Sequence, residues 1–287
     1  MTNSSASTTV QTTTTPQQLK KATSVATTLA SSPYQQLQGL LKQLKLTQML
    51  THWEATESQA LQQQWSYAQF LLTLCEQEAD RRNQMRLKRA IKEAQLPAVK
   101  SLTSFEFDHC TDFNPAPLMQ LADDDSWLDR ASNCLIFGPS GVGKTHLSVG
   151  LARAMLEASR RVKFFNALAL VQQLQHDKQQ LLLQSRLKKL DRFDLLILDD
   201  FGYVQKSEAE TSVLFELIAH RYERKSLLIT ANQPFSQWDS IFPDSMMTVA
   251  AVDRLVHHAV ILEIKAESYR QQAATARNKN SLDSVET

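Results

Sequence analysis

The sequence has few glycines and cysteines and almost no net charge. Each of these features limits the classes of protein to which it can belong. Only six glycines and three cysteines occur in 287 residues. Cys75, Cys110 and Cys134 are widely spaced, without a C-x-x-C pair or histidines at zinc spacing, so they predict reduced thiols in a cytosol. The formal net charge is +1, so any nucleic-acid partner has to be argued from local patches.

Long apolar runs are also absent from the sequence. No run approaches the ~18 residues that cross a membrane, and residues 1–33 lack the apolar core of a secretory signal. This first stretch is rich in Ser, Thr and Gln, with Lys20 and Lys21 as its charges and no arginine. That composition favours a disordered tail over a transit peptide. We expect a cytoplasmic protein with no membrane partner.

Apolar residues at helical spacing predict a small all-helical N-terminal domain over residues 34–96. We expect one helix over residues 34–62 and a second over residues 65–95, the latter capped by Ser66. Residues 97–131 contain three prolines and are expected to link this domain to the next.

From residue 132 to residue 270, strand-like apolar runs alternate with helical patterns, and residues 271–287 are expected to form a disordered tail. This alternation is typical of a parallel sheet between two layers of helices, so it predicts an α/β domain. The runs are CLIF (134–137), VKFF (162–165), LLIL (195–198), LLIT (227–230) and VILEI (260–264).

Three of the six glycines lie within six positions, in the stretch GPSGVGKT at residues 138–145. A strand that enters a glycine-rich turn and then a helix directs backbone N–H groups at one point, which suits a phosphate. Lys144 can reach the β- and γ-phosphates of ATP, and the Thr145 hydroxyl can ligate Mg²⁺. The spacing is that of a P-loop. The predicted nucleotide-binding residues are Gly138, Pro139, Ser140, Gly141, Val142, Gly143, Lys144, Thr145 and His146.

Polar residues end the strands that follow the P-loop. Asp199 and Asp200 close the run LLIL, where Asp199 can hold the magnesium shell and Asp200 can orient or deprotonate the attacking water. Asn232 follows the run LLIT and is predicted to be a sensor of the γ-phosphate. This order favours an AAA+ ATPase. A P-loop kinase would need an acceptor site and an arginine-bearing lid, and neither is identifiable.

Arginines that follow the sensor can stabilise the charge on a transferring phosphoryl group. Arg254 and Arg270 are both candidates for this role. Arg221 is a third arginine in a helical pattern, for which a surface ion pair is an equally good interpretation.

These residues closely resemble the IstB family of insertion-sequence ATP-binding proteins, relatives of the bacterial helicase loader DnaC. The resemblance runs from about Leu37 to Arg270 and depends on the order and spacing of its blocks. They include YAQFL (67–71), PAVKSL (97–102), FEFD (105–108), GPSGVGKTHL (138–147), LLILDDFGY (195–203), LFELIAHRYE (214–223), LLITANQPFSQW (227–238), VDRLVHHA (252–259) and ESYR (267–270).

The resemblance implies a role for each polar residue at the site. Asp199 and Asp200 correspond to the family's acid pair, and Asn232 to its first sensor. Arg254 corresponds to an arginine finger that acts on a neighbouring subunit's ATP, and Arg270 to a second sensor in the same subunit. Many members have Glu where Asp200 stands, and the shorter side chain implies slow hydrolysis, which would suit a timer or switch.

A basic run lies in the second predicted helix, where residues 81–92 contain six cations and no acid. Such a strip can neutralise DNA phosphates, although a solvated helix face is the ordinary interpretation. The six are Arg81, Arg82, Arg86, Lys88, Arg89 and Lys92. His257 and His258 are expected to be structural or at a subunit contact, because adjacent residues of a regular element point to different sides and make a poor metal pair.

The resemblance implies a bacterial ATPase that uses ATP and Mg²⁺ and assembles as a homo-oligomer on double-stranded DNA, with ATP at the subunit interfaces. It would assist an IstA-type transposase in target selection and activation, and would be nucleoid-associated when bound to DNA. A DnaC-like loader of a replicative helicase shares the whole ATPase core and prefers single strands. A non-hydrolysing adaptor that binds ATP as a structural ligand is a third hypothesis.

Overall fold

The structure is a computed structural model, and it describes residues 32–97, 100–107, 113–201, 207–234, 237–238 and 245–265. Contacts within the chain define two compact units, one ending at Gln84 and the other beginning at Met85. Within the described residues, no helix combines the length and the apolar character that a membrane crossing requires.

Three helices begin in the first unit. They are α1 (Pro33–Gln43), α2 (Thr47–Gln62) and α3 (Tyr67–Ala94), and the last turns of α3 belong to the second unit. Ser66 caps α3 as the sequence predicts, because its Oγ accepts a hydrogen bond from Gln69 N at 3.2 Å. The small core of this unit contains Leu41, Trp53 and Leu74, with Leu46, Met49, Leu50 and Phe70 packed against them.

The single helix predicted over residues 34–62 is two helices, α1 and α2. Lys45 between them adopts a left-handed backbone, with a φ of 56°. Such a residue ends an α-helix, because the chain can no longer continue the right-handed spiral. Apolar periodicity continues on both sides of this break, so the periodicity alone did not reveal it.

A side chain of α3 supplies the cap that α2 lacks. Leu46 occupies the N-cap position of α2 and has no polar side chain to offer. The buried carboxylate of Glu78 instead accepts hydrogen bonds from Gln48 N at 2.7 Å and from Arg82 Nε at 2.9 Å. Burial alone would raise the pKa of Glu78. Its hydrogen bonds and the charge of Arg82 together have the larger, opposite effect, so the pKa lies below its usual value.

The second unit is built on a five-stranded parallel sheet of order β2-β3-β4-β1-β5. The central strands are buried along their length, which explains why they appear in the sequence as continuous apolar runs. The strands are β1 (Asn133–Phe137), β2 (Val162–Asn166), β3 (Leu195–Phe201), β4 (Ser226–Ala231) and β5 (Ala259–Glu263).

Helices cover both faces of this sheet. Alternate residues of β3 face the two cores: Leu196 and Leu198 belong to one, and Leu195 and Ile197 to the other. The first core also includes residues of α6 (Ala167–Gln179), α7 (Leu183–Leu190), α8 (Glu208–Arg221) and α9 (Ser245–Val256), and the second includes residues of α4 (Ala116–Asp123) and α5 (Lys144–Glu157).

The structure differs from the predicted organisation between residues 85 and 131. The last turns of α3 pack in the second unit, where Ala94 is fully buried. Leu118 and Trp127, which lie in the predicted linker, are buried in the same core. Apolar burial therefore holds much of this segment against the sheet, and the prolines within it mark helix starts as well as turns.

Arg221 is a buried structural residue, so the surface ion pair, one of the two interpretations that its sequence left open, is wrong. Its side chain is fully enclosed, and its guanidinium donates to four backbone carbonyls. Burial lowers its pKa to about 10. The acceptors belong to Leu190, Phe193, Asp194 and Ser226, so the arginine fastens the segment before β3 to the start of β4.

Candidate nucleotide-binding site

The predicted P-loop lies between β1 and α5, and at two of its glycines an added Cβ would clash with neighbouring atoms. Gly143 is the N-cap of α5 with a φ of 99°, and a Cβ there would lie 2.5 Å from the Phe105 ring. Gly138 has a φ of 151°, and a Cβ there would lie 2.6 Å from Ile264 O. Both positions therefore require glycine. The loop ends at a helix N-terminus, which favours an anion such as phosphate.

Lys144 is the first residue of α5, and its side chain turns back into the loop. Its Nζ donates to Gly138 O and to Pro139 O, both at 2.8 Å. The side chain is buried, with 7% of the residue exposed. The ammonium group is therefore held within the P-loop, where it can exchange carbonyl partners for phosphate oxygens.

Thr145 and Asp199, the two residues predicted to hold Mg²⁺, are in hydrogen-bond contact. The Thr145 hydroxyl lies 3.1 Å from Asp199 Oδ1 and 2.9 Å from Oδ2. Burial, reinforced by the charge of the adjacent Asp200, raises the pKa of Asp199, although hydrogen bonds oppose the shift. A hydroxyl and a carboxylate are hard oxygen ligands, so this pair fits Mg²⁺.

A third side chain, Thr230 of β4, completes this cluster and was missed by the sequence analysis. Its buried hydroxyl donates to Asp199 Oδ1 at 2.6 Å and accepts from Asp200 N at 3.0 Å. The signal that could have revealed it is a hydroxyl inside an apolar strand, two residues before Asn232. Thr230 links the two strands that carry the polar residues of the site.

The acid pair occupies an irregularity of β3. Leu198 pairs with Ile229 and Phe201 with Ala231, so β3 has one residue more than β4 over this stretch, as in a β-bulge. Asp200 has a φ of 58° and is exposed, whereas Asp199 is buried. The bulge therefore separates the roles of two adjacent carboxylates, one held inside the site and one presented to solvent.

Asn232 lies just after β4 and carries an unusual buried acceptor. Its Oδ1 is buried and has no hydrogen-bond partner among the described residues. An unpaired buried amide oxygen is costly unless a ligand or water donates to it. This geometry fits the predicted sensor, since a water molecule positioned for attack on phosphate is a donor.

Among the described residues, the contacts of Arg254 do not bring it to the P-loop. Arg254, on the last turn of α9, donates to Ala250 O at 2.8 Å, and its guanidinium lies 5.2 Å from the centre of the Phe215 ring. Neither partner belongs to the P-loop or to the acid pair. Arg270 lies outside the described residues.

His146 uses its ring to hold a neighbouring segment. Its Nε2 lies 3.1 Å from Ser101 O and 3.1 Å from Ser104 Oγ, and its ring meets Phe105 edge-on. Burial lowers the pKa of His146 below its usual value. The histidine thus fastens residues 101–105 to the P-loop helix, a contact that its place in the motif did not predict. Its predicted contact with nucleotide stays a prediction.

The six cations predicted to contact DNA have different surroundings. In the first unit, Arg82 pairs with the buried Glu78. In the second unit, Arg86 donates to Leu156 O and Glu157 O at the end of α5. Lys88, Arg89 and Lys92 are exposed and form no ion pair within the described part of the chain. Arg81 is half-buried.

The sheet order, the P-loop and the Thr145–Asp199 pair define a P-loop ATPase core of the AAA+ class. The family described as IstB-like ATP binding protein matches residues 39–277. The chain belongs to this family, which confirms the resemblance noted in its sequence. It is an ATP-binding protein.

Relatives in this family come from insertion sequences. The chain is 49% identical over 235 residues to an insertion sequence ATP-binding protein, y4iQ/y4nD/y4sD, of Sinorhizobium fredii, covering 82% of this chain and 79% of that protein. It is 35% identical over 235 residues to the ATP-binding protein of insertion sequence IS21 of Pseudomonas aeruginosa, covering 82% and 88%.

Solved structures confirm the predicted fold class. The crystal structure of DnaI matches with a TM-score of 0.50 and 19% identity, over 58% of this chain and 92% of that one. At this identity the likeness concerns the fold alone.

Proposed function

We propose that this protein is an ATP-hydrolysing regulator of DNA transposition that assembles on duplex DNA and assists an IstA-type transposase in target selection and activation. The observation that carries the proposal is the contact between the Thr145 hydroxyl and the Asp199 carboxylate beside the P-loop. Membership of a family of insertion-sequence ATP-binding proteins supports the transposition context. The protein would act at the bacterial nucleoid.

The chemistry of hydrolysis is assigned to residues of β3, β4 and α5. Lys144 would bind the β- and γ-phosphates, while Thr145 and Asp199 would hold Mg²⁺, which neutralises charge on the phosphates when bound. Asp200, exposed on its bulge, would accept a proton from the attacking water, and the unpaired Oδ1 of Asn232 would orient that water.

Assembly would complete the site. Arg254 makes its contacts on α9 and α8, away from its own P-loop residues, so we assign it to the ATP of the neighbouring subunit. Arg270 would contact ATP in its own subunit. Because both protomers then contact the γ-phosphate, ATP favours the multimer and hydrolysis releases it.

DNA contact is assigned first to Lys88, Arg89 and Lys92, because these three cations of the second unit are exposed and form no ion pair among the described residues. Arg82 and Arg86 already have partners in the protein. Each phosphate that a cation neutralises contributes about 0.9 to the slope of log affinity against log salt concentration.

The test measures binding of the purified protein to a fluorescent duplex and to a single strand of equal length. Each is measured with ATP and with ADP over a range of salt concentrations. We expect cooperative binding to the duplex that requires ATP, and transposase is then added to the duplex-bound protein to measure stimulation of strand transfer. Preference for the single strand would instead indicate a helicase loader, and binding to neither would overturn a DNA role.

A matched pair of variants localises the DNA interface. Replacing Lys88 and Arg89 together by alanine should lower the salt slope by about 0.9 for each phosphate that the protein no longer neutralises. Replacing Lys188 and Lys189 of α7, which are adjacent, exposed and change the net charge equally, should leave the slope unchanged. If the two double variants changed the salt slope equally, the assignment of DNA contact to α3 would be wrong.

A further inference from the structure

A second group of ligating side chains lies at the opposite edge of the sheet from the P-loop. Glu223 precedes β4 and His257 and His258 precede β5, whereas the P-loop follows the carboxyl end of β1. Because these strands are parallel, the two groups lie at opposite edges. We propose that Glu223, His257 and His258 bind a transition-metal ion such as Zn²⁺.

The distances within this group suit a shared ion. Glu223 Oε1 lies 3.9 Å from His257 Nδ1 and 4.0 Å from His258 Nε2, and ligand atoms of the three residues lie within 4.8 Å of one another. Ligands at tetrahedral positions around zinc are about 3.4 Å apart. Small side-chain rotations would therefore bring the three atoms onto one ion.

The expectation that adjacent histidines diverge does not hold here, because they are not in a regular element. His257 and His258 form the turn between α9 and β5, and their ring centroids lie only 4.0 Å apart. The alternation of side chains along a strand begins only at Ala259.

Hydrogen bonds to Asn133 fix the backbone of this turn. Asn133 N donates to His258 O at 2.7 Å, and its side chain donates to Leu255 O at 3.0 Å. Its Oδ1 accepts from Leu227 N at 2.9 Å, which ties β4 to the same residue. The asparagine is buried, so the turn is held in place before any ligand arrives, and preorganised ligands bind metals more tightly.

The third ligand is presented by a tight turn between α8 and β4. Glu223 has a left-handed backbone with a φ of 56°, and Arg224 N and Lys225 N both donate to Arg221 O. Next to it, the Tyr222 hydroxyl lies 2.8 Å from His257 Nδ1, and an ion bound at this nitrogen would replace that hydrogen bond. The carboxylate thereby faces the histidine turn across a short gap.

The ligand set selects the class of ion. Two imidazoles and one carboxylate suit Zn²⁺, Ni²⁺, Co²⁺ or Cu²⁺, whereas Mg²⁺ and Ca²⁺ prefer oxygen ligands alone. The three side chains are about half exposed, at 49–56%. His257 and His258 also line a cavity of about 500 Å³ together with Trp127 and Arg130. Water in this space can supply a fourth ligand.

An ion bound here would fasten two turns together, the one before β4 and the one before β5. The second of these follows α9, the helix that carries Arg254. Binding to the folded chain alone would raise the melting temperature in proportion to the logarithm of the ion concentration above Kd.

The test uses the full-length chain without a polyhistidine tag, free of nucleotide and Mg²⁺, titrated with ZnCl₂ and with NiCl₂ by calorimetry. We expect one ion per chain and a rise in melting temperature that MgCl₂ does not produce. Glu223→Gln, His257→Ala and His258→Ala should each lower the Zn²⁺ affinity at least about tenfold. X-ray absorption at the zinc edge should show two imidazole ligands.

His176→Ala is the matched control, because His176 is an exposed histidine on α6 outside this group. It should leave the Zn²⁺ affinity unchanged. The metal-free melting temperatures of all variants are compared, so that a loss of affinity is not mistaken for a loss of fold. Unchanged affinity in both histidine variants, or an equal loss in His176→Ala, would overturn the proposal.

Discussion

The Thr230 hydroxyl donates a 2.6 Å hydrogen bond to Asp199 and accepts one from the backbone N–H of Asp200. One buried side chain of β4 therefore positions both acids of β3. We expect Thr230→Val to lower ATP hydrolysis by about 10- to 100-fold, because a hydrogen bond to a charged group contributes about 1.5–3 kcal/mol. Phosphate release at saturating Mg²⁺ and ATP measures the rate of hydrolysis.

Thr230→Ser is the control for this prediction, because it keeps the hydroxyl and removes only a methyl group. It should retain most of the activity and most of the Mg²⁺-dependent nucleotide binding. If the valine variant hydrolysed ATP as fast as wild type, Thr230 would have no positioning role.

Arg221 holds the segment before β3 to the start of β4 through four carbonyls. Arg221→Met fills similar space but leaves these acceptors unpaired, so we expect the free energy of unfolding to fall by about 3 kcal/mol. Urea denaturation followed by circular dichroism measures the change. Arg224→Met, on an exposed arginine nearby, should change stability by less than about 0.5 kcal/mol, and equal losses would contradict the structural role of Arg221.

The contrast between Arg221 and Lys144 shows what the sequence could reveal about this protein. The P-loop was predictable because its glycines, lysine and threonine have fixed spacing along the chain, and the parallel sheet was predictable from apolar runs that alternate with helices. Arg221 follows a helical pattern that gives no sign of burial, because its acceptors lie 5 to 31 residues away in sequence. When a charged side chain is buried by residues distant in sequence, the residues around it in the sequence do not reveal the burial.

The same limit explains Thr230 and the bulge of β3. The sequence placed Asp199 and Asp200 at the correct edge of the sheet, but the extra residue of β3 depends on its pairing with β4. The left-handed backbone at Lys45 was hidden for a related reason, since apolar residues occur on both sides of it. Contacts between elements, rather than residue types within one element, decide these details.

Glu78 provides a test of stability against pH. Its carboxylate caps α2, and Glu78→Gln should cost about 1–2 kcal/mol of unfolding free energy near neutral pH. The pKa of Glu78 is lowered from 4.5 in the folded chain, so its stabilisation is complete above 4.5 and is lost as pH falls through the lower folded value. The difference between variant and wild type should therefore shrink in acid.

Urea denaturation at a series of pH values measures this difference. Glu76→Gln is the matched control, because Glu76 is an exposed acid on the same helix and should have little effect at any pH. A loss in Glu78→Gln that stayed constant into acid would show that the cost comes from packing and not from the charged cap.

The proposed trans action of Arg254 can be tested by mixing two inactive variants. Arg254→Ala keeps an intact acid pair, and Asp200→Asn keeps an intact arginine, so each alone should bind ATP and hydrolyse it very slowly. In an equal mixture assembled on duplex DNA, half the protomers have an intact acid pair and half of their neighbours an intact arginine. If the interface is head-to-tail, about a quarter of wild-type turnover should return.

Mixing Asp200→Asn with the double variant Arg254→Ala/Asp200→Asn is the control and should restore nothing, because no intact acid pair is present. Normal hydrolysis by Arg254→Ala alone, or no recovery in the first mixture despite assembly on DNA, would show that Arg254 does not act on a neighbouring subunit's ATP.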